Sequence, residues 1–197
     1  MSAMEATWLL LTGIGLAAAA GLNAYIPLLL AGLLARFDVI SLAEPYDLLE
    51  STTALAIVAV LLVIELLADK IPAVDSVNDA VQTLVRPASG ALLFAGVFAG
   101  DAEWVQVLAL VGGLVTAGTV HGAKATARPV VNVTTAGVGG PVSSVVEDAI
   151  SVSLTLAAIF APVLVLVLLA LLGWLFFRIR RRWRGRRGPN RDPAVVS

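Results

Sequence analysis

Two carboxylates and a set of basic side chains lie within or beside apolar segments of this chain, and their types and spacing could do chemistry. Glu65 and Asp69 are four residues apart, so a helix would place both on one face. If that face is buried, the pair could share a proton or bind a cation. Glu65 lies about one turn deeper in its apolar run than Asp69, which favours a functional role for Glu65. Asp69 could instead lie at the membrane interface without one.

Basic residues and the single histidine form a second group with helical spacing. His121 and Lys124 are about one turn apart, and Arg128 follows Lys124 by four residues. An imidazole exchanges protons near neutral pH, so His121 is a candidate for proton transfer, with a hydrogen-bonded packing role as the alternative. Together with Lys70 and Arg86, these cationic side chains could hold an anionic group or serve as counter-charges to the carboxylates.

Further polar candidates accompany breaks in the apolar pattern. Asn23 precedes Pro27, whose ring cannot donate a hydrogen bond to the Asn23 carbonyl. We therefore expect a kink there, with Asn23 bonded to a neighbouring helix or in contact with a substrate or ion. Ser144 and Glu147 have the spacing of a capping box that would open a helix, whereas Asp148 has no such structural role. The remaining candidates are Asn78 and Asn132.

The only two lysines, Lys70 and Lys124, indicate an internal duplication. Polar or chain-breaking residues recur at a spacing of 54: Lys70 with Lys124, Asn78 with Asn132, Pro87 with Pro141, and Ser89 with Ser143. The sequence therefore predicts two related helix-loop-helix repeats, at about 52–100 and 104–160. Repeats around central polar residues are common in helical transporters and channels.

Composition identifies the environment of these residues. The chain is 59% hydrophobic and 14% charged, with a mean hydropathy of +0.94, which excludes an ordinary soluble domain. It has no cysteine, so thiol chemistry and disulfides are excluded. The pattern predicts an all-α, polytopic membrane protein with about six transmembrane helices in a single domain, residues 1–180. The apolar runs are 7–35, 52–68, 88–100, 104–121, 142–160 and 162–177.

Three of these segments need additional interpretation. The third run is short, and we expect residues before Pro87 to lengthen it into a kinked helix. The segment from Pro129 to Gly140 is poor in helix formers and predicts a loop that dips into the protein. The last two runs meet at Ala161 and Pro162, so they form either a tight hairpin or one long bent helix.

Charge placement predicts the orientation in the membrane. Eight of the thirteen basic residues are arginines between Arg178 and Arg191, and such residues collect on the cytoplasmic side. Residues 181–197 are therefore expected to form a disordered cytoplasmic tail that contacts anionic lipid head groups rather than nucleic acid. With six spans, the N-terminus would also be cytoplasmic, and the acidic loops near Asp38 and Asp101 would lie outside.

Five segments of the chain resemble a known family. GLNAYIP, ADKIP followed by Asp75, RPASGAL, HGAKATARP and the stretch from Ser144 to Asp148 are similar to bacterial membrane proteins grouped as a domain of unknown function (DUF4126), over residues 8–180. The resemblance implies a multi-pass protein of the bacterial inner membrane and supplies no substrate. A much weaker similarity links Glu65 and Asp69 to cation/proton exchangers with an E-x-G-D-K motif. Here the spacing is four rather than three, and Ala68 replaces the glycine.

These observations favour a small transporter or channel for an ion or small charged solute, with protons as a candidate coupling ion and the polar site between the two repeats. One alternative is a flippase that handles a lipid-linked phosphate, and another is a membrane scaffold or accessory subunit without transport. We expect no enzyme activity and no cofactor, because the sequence has neither HExxH nor GxSxG. A single chain of this length rarely encloses a path, so a homo-oligomer is expected.

Overall fold

The fold is a bundle of helices. The computed structural model describes residues 2–69, 72–135 and 139–186, and within these ranges it contains helices and connecting loops without strands. A short 3-10 helix, Tyr46–Glu50, precedes the third α-helix. The α-helices are α1 (Ala3–Leu22), α2 (Tyr25–Arg36), α3 (Thr52–Ala68), α4 (Pro72–Val97), α5 (Glu103–Thr134), α6 (Gly139–Phe160) and α7 (Val163–Arg186). The all-helical class predicted from composition is confirmed.

Several helices have the length and apolarity of membrane spans. Within the described ranges, four segments qualify: Ala3–Leu22, Ala80–Val97, Glu103–Val131 and Gly139–Phe160. The apolar helices α2, α3 and the first half of α7 are shorter. Because a bilayer core requires about 20 apolar residues, this chain is a helical membrane protein. The predicted count of six spans is not confirmed.

The first apolar run, predicted as one span, is two antiparallel helices. Leu16 of α1 and Ala31 of α2 belong to one buried cluster, and the turn between the helices, at Asn23 and Ala24, is buried as well. The Asn23 side-chain oxygen accepts hydrogen bonds from the backbone amides of Tyr25 and Ile26 and so caps the start of α2. Pro27 then lies in the first turn of α2, where its missing N–H costs little. We call α1 and α2 the hairpin.

The direction of each helix follows from its neighbours along α1. Gly21 lies against Ala117 and Gly15 against Ala158, while Asn23 reaches Asp148. Helix α6 therefore runs antiparallel to α1. Phe94 of α4 lies beside Gly13 near the start of α1, and Gln82 lies beside Tyr25 just after its end. Helix α4 therefore also runs antiparallel to α1, in the same direction as α6. Helices α5 and α7 run parallel to α1.

The bundle consequently has two distinct ends. The amino end holds Ser2 and the turns at 98–102 and 161–162, whereas the arginine end holds Ala68, Thr135 and Arg186. Helix α1 begins and α7 ends at opposite ends of the bundle, so the predicted placement of both termini on one side of the membrane is not confirmed. The first residues of the predicted tail, as far as Arg186, continue α7, and residues 187–197 lie outside the described ranges.

One expectation about chain breaks is confirmed, a second is corrected, and the form of the last two apolar runs is established. Helix α4 continues through Pro87, as expected. Helix α5 continues through Pro129 to Thr134, so the predicted dipping loop is wrong for those residues. In an apolar setting, backbone groups bond within the helix despite poor propensity, and the Thr134 hydroxyl also donates to the Val130 carbonyl. Helices α6 and α7 reverse direction at Pro162 and pack side by side, as the contact of Leu154 and Leu168 in one cluster shows.

The predicted repeat is not reflected in the helix boundaries. Helix α3 ends at Ala68, whereas the residue 54 positions later, Gly122, lies inside α5. Helix α6 begins at Gly139, so Ser144 is an interior helical residue and the predicted capping box with Glu147 is wrong. The similarity between the two segments thus concerns their polar residues and not their helix ends.

Candidate functional site

Buried charges gather where the arginine end of the bundle meets the tip of the hairpin. Within the described residues they form what we call the ion-pair network: Glu65, Asp69, Arg86, Lys124, Arg128 and Glu147. The end of α3 and helices α4, α5 and α6 supply these residues. Burying an ionised group is expensive unless it is paired and hydrogen-bonded, so each member needs its partners.

Glu65 and Arg86 form the deepest pair. Arg86 Nη2 donates to Glu65 Oε1 at 2.8 Å, and the two side chains are 0% and 1% exposed. Arg86 Nη1 lies 3.1 Å from His121 Nδ1. Because a guanidinium can only donate, Nδ1 accepts, and the neutral imidazole carries its proton on Nε2. Nε2 lies 3.1 Å from the Thr83 hydroxyl, which is then the acceptor of that proton's hydrogen bond.

Asp69 joins three helices immediately after the end of α3. Its Oδ2 accepts from Arg128 Nη2 at 3.3 Å and from the Ser144 hydroxyl at 3.0 Å. Its Oδ1 accepts from the Asn78 amide at 3.0 Å. Glu65 and Asp69 do face the same region, but each pairs with its own arginine. In this arrangement Glu65 and Asp69 are therefore joined to Arg86 and Arg128 and not directly to each other.

Lys124 connects the network to the hairpin. Its Nζ lies 2.8 Å from Glu147 Oε2 and donates to the Leu22 carbonyl, at the end of α1, over 3.1 Å. Glu147 also accepts from Arg128 at 3.4 Å, so it is shared by two cations. At 17% side-chain exposure, Glu147 is the most accessible of the paired carboxylates.

The tip of the hairpin is held by α6. The Asn23 amide donates to Asp148 Oδ1 at 2.9 Å, and the Ser151 hydroxyl donates to the Ala19 carbonyl at 3.0 Å. The expected bond from Asn23 to a neighbouring helix is therefore present, and the same side chain caps α2. The ends of both hairpin helices thus meet polar groups inside the bundle.

The deepest pair retains hydrogen-bonding atoms that have no partner among the described residues. These atoms are Glu65 Oε2 and Arg86 Nε. The nearby Gln82 Oε1 is also buried without a hydrogen-bond partner among the described residues. The pair is bonded through one atom on each side, so each partner can still form a second hydrogen bond. Buried polar atoms of this kind are rare in native proteins and call for an explanation.

The predicted site residues and the observed cluster largely coincide. Those brought together are Asn23, Glu65, Asp69, Asn78, Arg86, His121, Lys124, Arg128, Glu147 and Asp148. Lys70 and the side chain of Asn132 lie outside the described residues. Sequence analysis missed Gln82, which stands four residues from both Asn78 and Arg86, a spacing that places all three on one face of α4.

The chemistry that this arrangement supports is exchange of partners. Among the described residues, histidine and carboxylate side chains form no group of three that could hold a metal ion. Arg128 is shared by Asp69 and Glu147, and Glu147 by Arg128 and Lys124. Because members are shared, a change of charge on one of them would weaken or strengthen the bonds of its neighbours.

Comparison with known proteins identifies a family and no characterised relative. A family model described as "Domain of unknown function (DUF4126)" matches residues 10–182. No curated protein and no solved structure matches the chain, so the weaker similarity to cation/proton exchangers gains no support.

Proposed function

The chain belongs to the family described as Domain of unknown function (DUF4126), and we propose that it is a membrane transporter for a small ion or small charged solute. The observation that carries this proposal is the buried tip of the hairpin, where two helix ends meet the ion-pair network. Buried helix ends that meet charged groups are typical of the ion and substrate sites of transporters built from discontinuous helices, since their free backbone groups need polar partners. The site lies between the hairpin and helices α3 to α6.

The two helix ends at the tip have opposite electrostatic character. The end of α1 presents the Leu22 carbonyl and the negative end of the helix dipole, and Lys124 binds there. The start of α2 presents the backbone amides of Tyr25 and Ile26, which Asn23 caps. A cation and an anionic group would therefore each find a complementary helix end within one turn of the chain.

Shared partners give the site a route for coupling. A proton on Glu147 would weaken its bonds to both Lys124 and Arg128, and Arg128 would then depend on Asp69 alone among these carboxylates. An anionic solute could take the place of Glu147 in the same way. We propose that such exchange couples solute movement to protons, with Glu147 as the entry point because it is the most exposed member.

A scaffold without transport is the competing function. It is favoured by the many mutual pairs within the network, which could simply lock the helices together. However, buried ion pairs contribute little net stability, and apolar side chains of similar volume are often as stabilising. Apolar contacts would hold the helices of a scaffold together without four buried or half-buried carboxylates, so we prefer transport.

We propose that the arginine end faces the cytoplasm, because Arg178 and Arg181 lie there. Ser2 then lies on the opposite side of the membrane. Cysteines introduced at Ser2 and Ala102 are expected to react with an impermeant maleimide in intact cells, since both positions are exposed at the amino end. A cysteine at Thr134, exposed at the arginine end, should react only after permeabilisation. Reaction of Ala102→Cys but not of Ser2→Cys in intact cells would contradict the hairpin.

Transport is tested in proteoliposomes that contain a pH-sensitive dye. A panel of cations, phosphates and organic anions is added to wild-type protein, to Lys124→Gln and to Arg181→Gln. We expect at least one solute to evoke a flux that Lys124→Gln lacks. Arg181→Gln also removes one positive charge, but from an exposed position on α7, so its flux should equal that of the wild type. Absence of flux for every solute would favour the scaffold.

A further inference from the structure

The surroundings of the Lys124 ammonium have the character of a cation site. Nζ contacts two oxygens, the Glu147 carboxylate at 2.8 Å and the Leu22 carbonyl at 3.1 Å. The carbonyl belongs to the last residue of α1, where the helix dipole is negative. Free carbonyls at broken helix ends, together with carboxylates, are the groups that hold coupling cations in transporters built from discontinuous helices.

Charges of both signs surround this ammonium, and carboxylates outnumber guanidiniums among them. The groups that face it or lie within electrostatic range come from every packed element: Glu65 of α3, Asp69 after α3, Arg86 of α4, Arg128 of α5, and Glu147 and Asp148 of α6. Four of these six are carboxylates and two are guanidiniums. Without the lysine charge, the described part of the cluster would therefore hold two more negative than positive groups if all are ionised.

We propose that the Lys124 ammonium stands in for a bound monovalent metal cation, so that Leu22, Glu147 and their neighbours constitute a site for Na⁺ or K⁺ that the native chain fills with its own side chain. This inference rests on the proposed function and adds the class of cation that these oxygens could hold. A lysine ammonium is a compact point charge on a flexible stem, unlike a planar guanidinium, and can replace a small cation among oxygen ligands. The native transporter then needs no Na⁺ or K⁺, because the lysine proton supplies the positive charge.

Shortening the Lys124 side chain would make the oxygens around it available to an ion. In Lys124→Ala, most of the side-chain volume and the charge are removed, which leaves room for an ion among the same oxygens. Lys124→Met is the matched control, because it also removes the charge but keeps an unbranched side chain of similar length. Thermal unfolding in detergent is measured for both variants and for wild type in Na⁺, in K⁺ and in N-methylglucamine at equal ionic strength.

We expect Na⁺ or K⁺ to raise the melting temperature of Lys124→Ala by at least about 3 °C over N-methylglucamine, because a ligand that binds only the folded state stabilises it. Wild type and Lys124→Met should show no difference between the salts. If Lys124→Ala folds only when one of the two metal ions is present, the inference is also supported. A Lys124→Ala protein that is equally stable in all three salts, or unfolded in all three, would overturn it.

The same protein distinguishes this inference from the proposed function. Cation-dependent stability of Lys124→Ala without wild-type flux of any solute would support the site and contradict transport. Wild-type flux that requires Na⁺ or K⁺ would support transport and contradict the role of the lysine as the stand-in cation.

Discussion

Replacing Arg86 by methionine is expected to destabilise the protein by about 3–5 kcal/mol, the range for removing one partner of a buried ion pair. Arg86 is 0% exposed, and its partner Glu65 is 1% exposed. The substitution leaves the Glu65 carboxylate buried without its cation and removes the hydrogen bond between Arg86 and His121 Nδ1. The effect is measured as the change in the unfolding free energy in mixed micelles.

A double-mutant cycle separates the loss of the pair from the loss of the side chain. Glu65→Met removes the other charge, and the double variant removes both. Because an apolar replacement of a whole buried pair is often neutral, the double variant should be more stable than Arg86→Met alone. If the double variant is destabilised by the sum of the two single effects, the Glu65 and Arg86 side chains do not act as a buried pair.

Replacing Gly113 by alanine is expected to cost about 2–3 kcal/mol, because α4 and α5 are in backbone contact there. A Cβ at this position would overlap the Gly90 carbonyl oxygen and would lie 2.7 Å from Phe94 Cβ and 2.8 Å from Ala91 Cα. These atoms belong to backbone or to the first side-chain carbon, so they cannot move aside without separating the helices. Small residues at such contacts are what allow membrane helices to approach closely.

Gly122→Ala is the matched control on the same helix. A Cβ there would meet no atom within 4 Å, so the substitution changes only helix propensity. Alanine is a better helix former than glycine by up to about 1 kcal/mol, and Gly122→Ala should therefore be neutral or stabilising. Equal effects of the two substitutions on the unfolding free energy would show that the close approach of α4 and α5 is incorrect.

The members of the site could be predicted from the sequence more readily than their partners. Glu65, Lys124 and Arg128 stand out because charged residues in apolar segments are costly and few. Their pairing depends on how each helix is rotated and how deeply it lies, which no local pattern encodes. Glu65 thus pairs with Arg86 of α4, and Ser144 donates to Asp69 instead of capping a helix.

The hairpin was missed for a related reason. Residues 7–35 are almost uniformly apolar, so hydropathy gives no sign of a reversal in direction. Two signals were available: the run is longer than one span requires, and Asn23 occurs where a new helix could start. A side chain that caps a helix and also reaches Asp148 in α6 becomes evident only when the helices are assembled.

The orientation prediction depended on that same segment. Counting the run as one span placed Ser2 and the arginine-rich tail on one side, whereas its division into two helices puts Ser2 and Arg186 at opposite ends of the bundle. The basic residues of the network and of the described part of α7 lie toward the same end of the bundle, and their position relative to the membrane stays a prediction.

The central claim is that the ion-pair network and hairpin tip form a transport site, and flux through folded protein tests it most directly. Wild type, Lys124→Gln and Arg181→Gln are reconstituted at equal density, with folding verified by thermal unfolding. The account predicts a solute-evoked flux in wild type and Arg181→Gln that is absent from folded Lys124→Gln. Equal flux in all three proteins, or no flux from any solute in wild type, would contradict it.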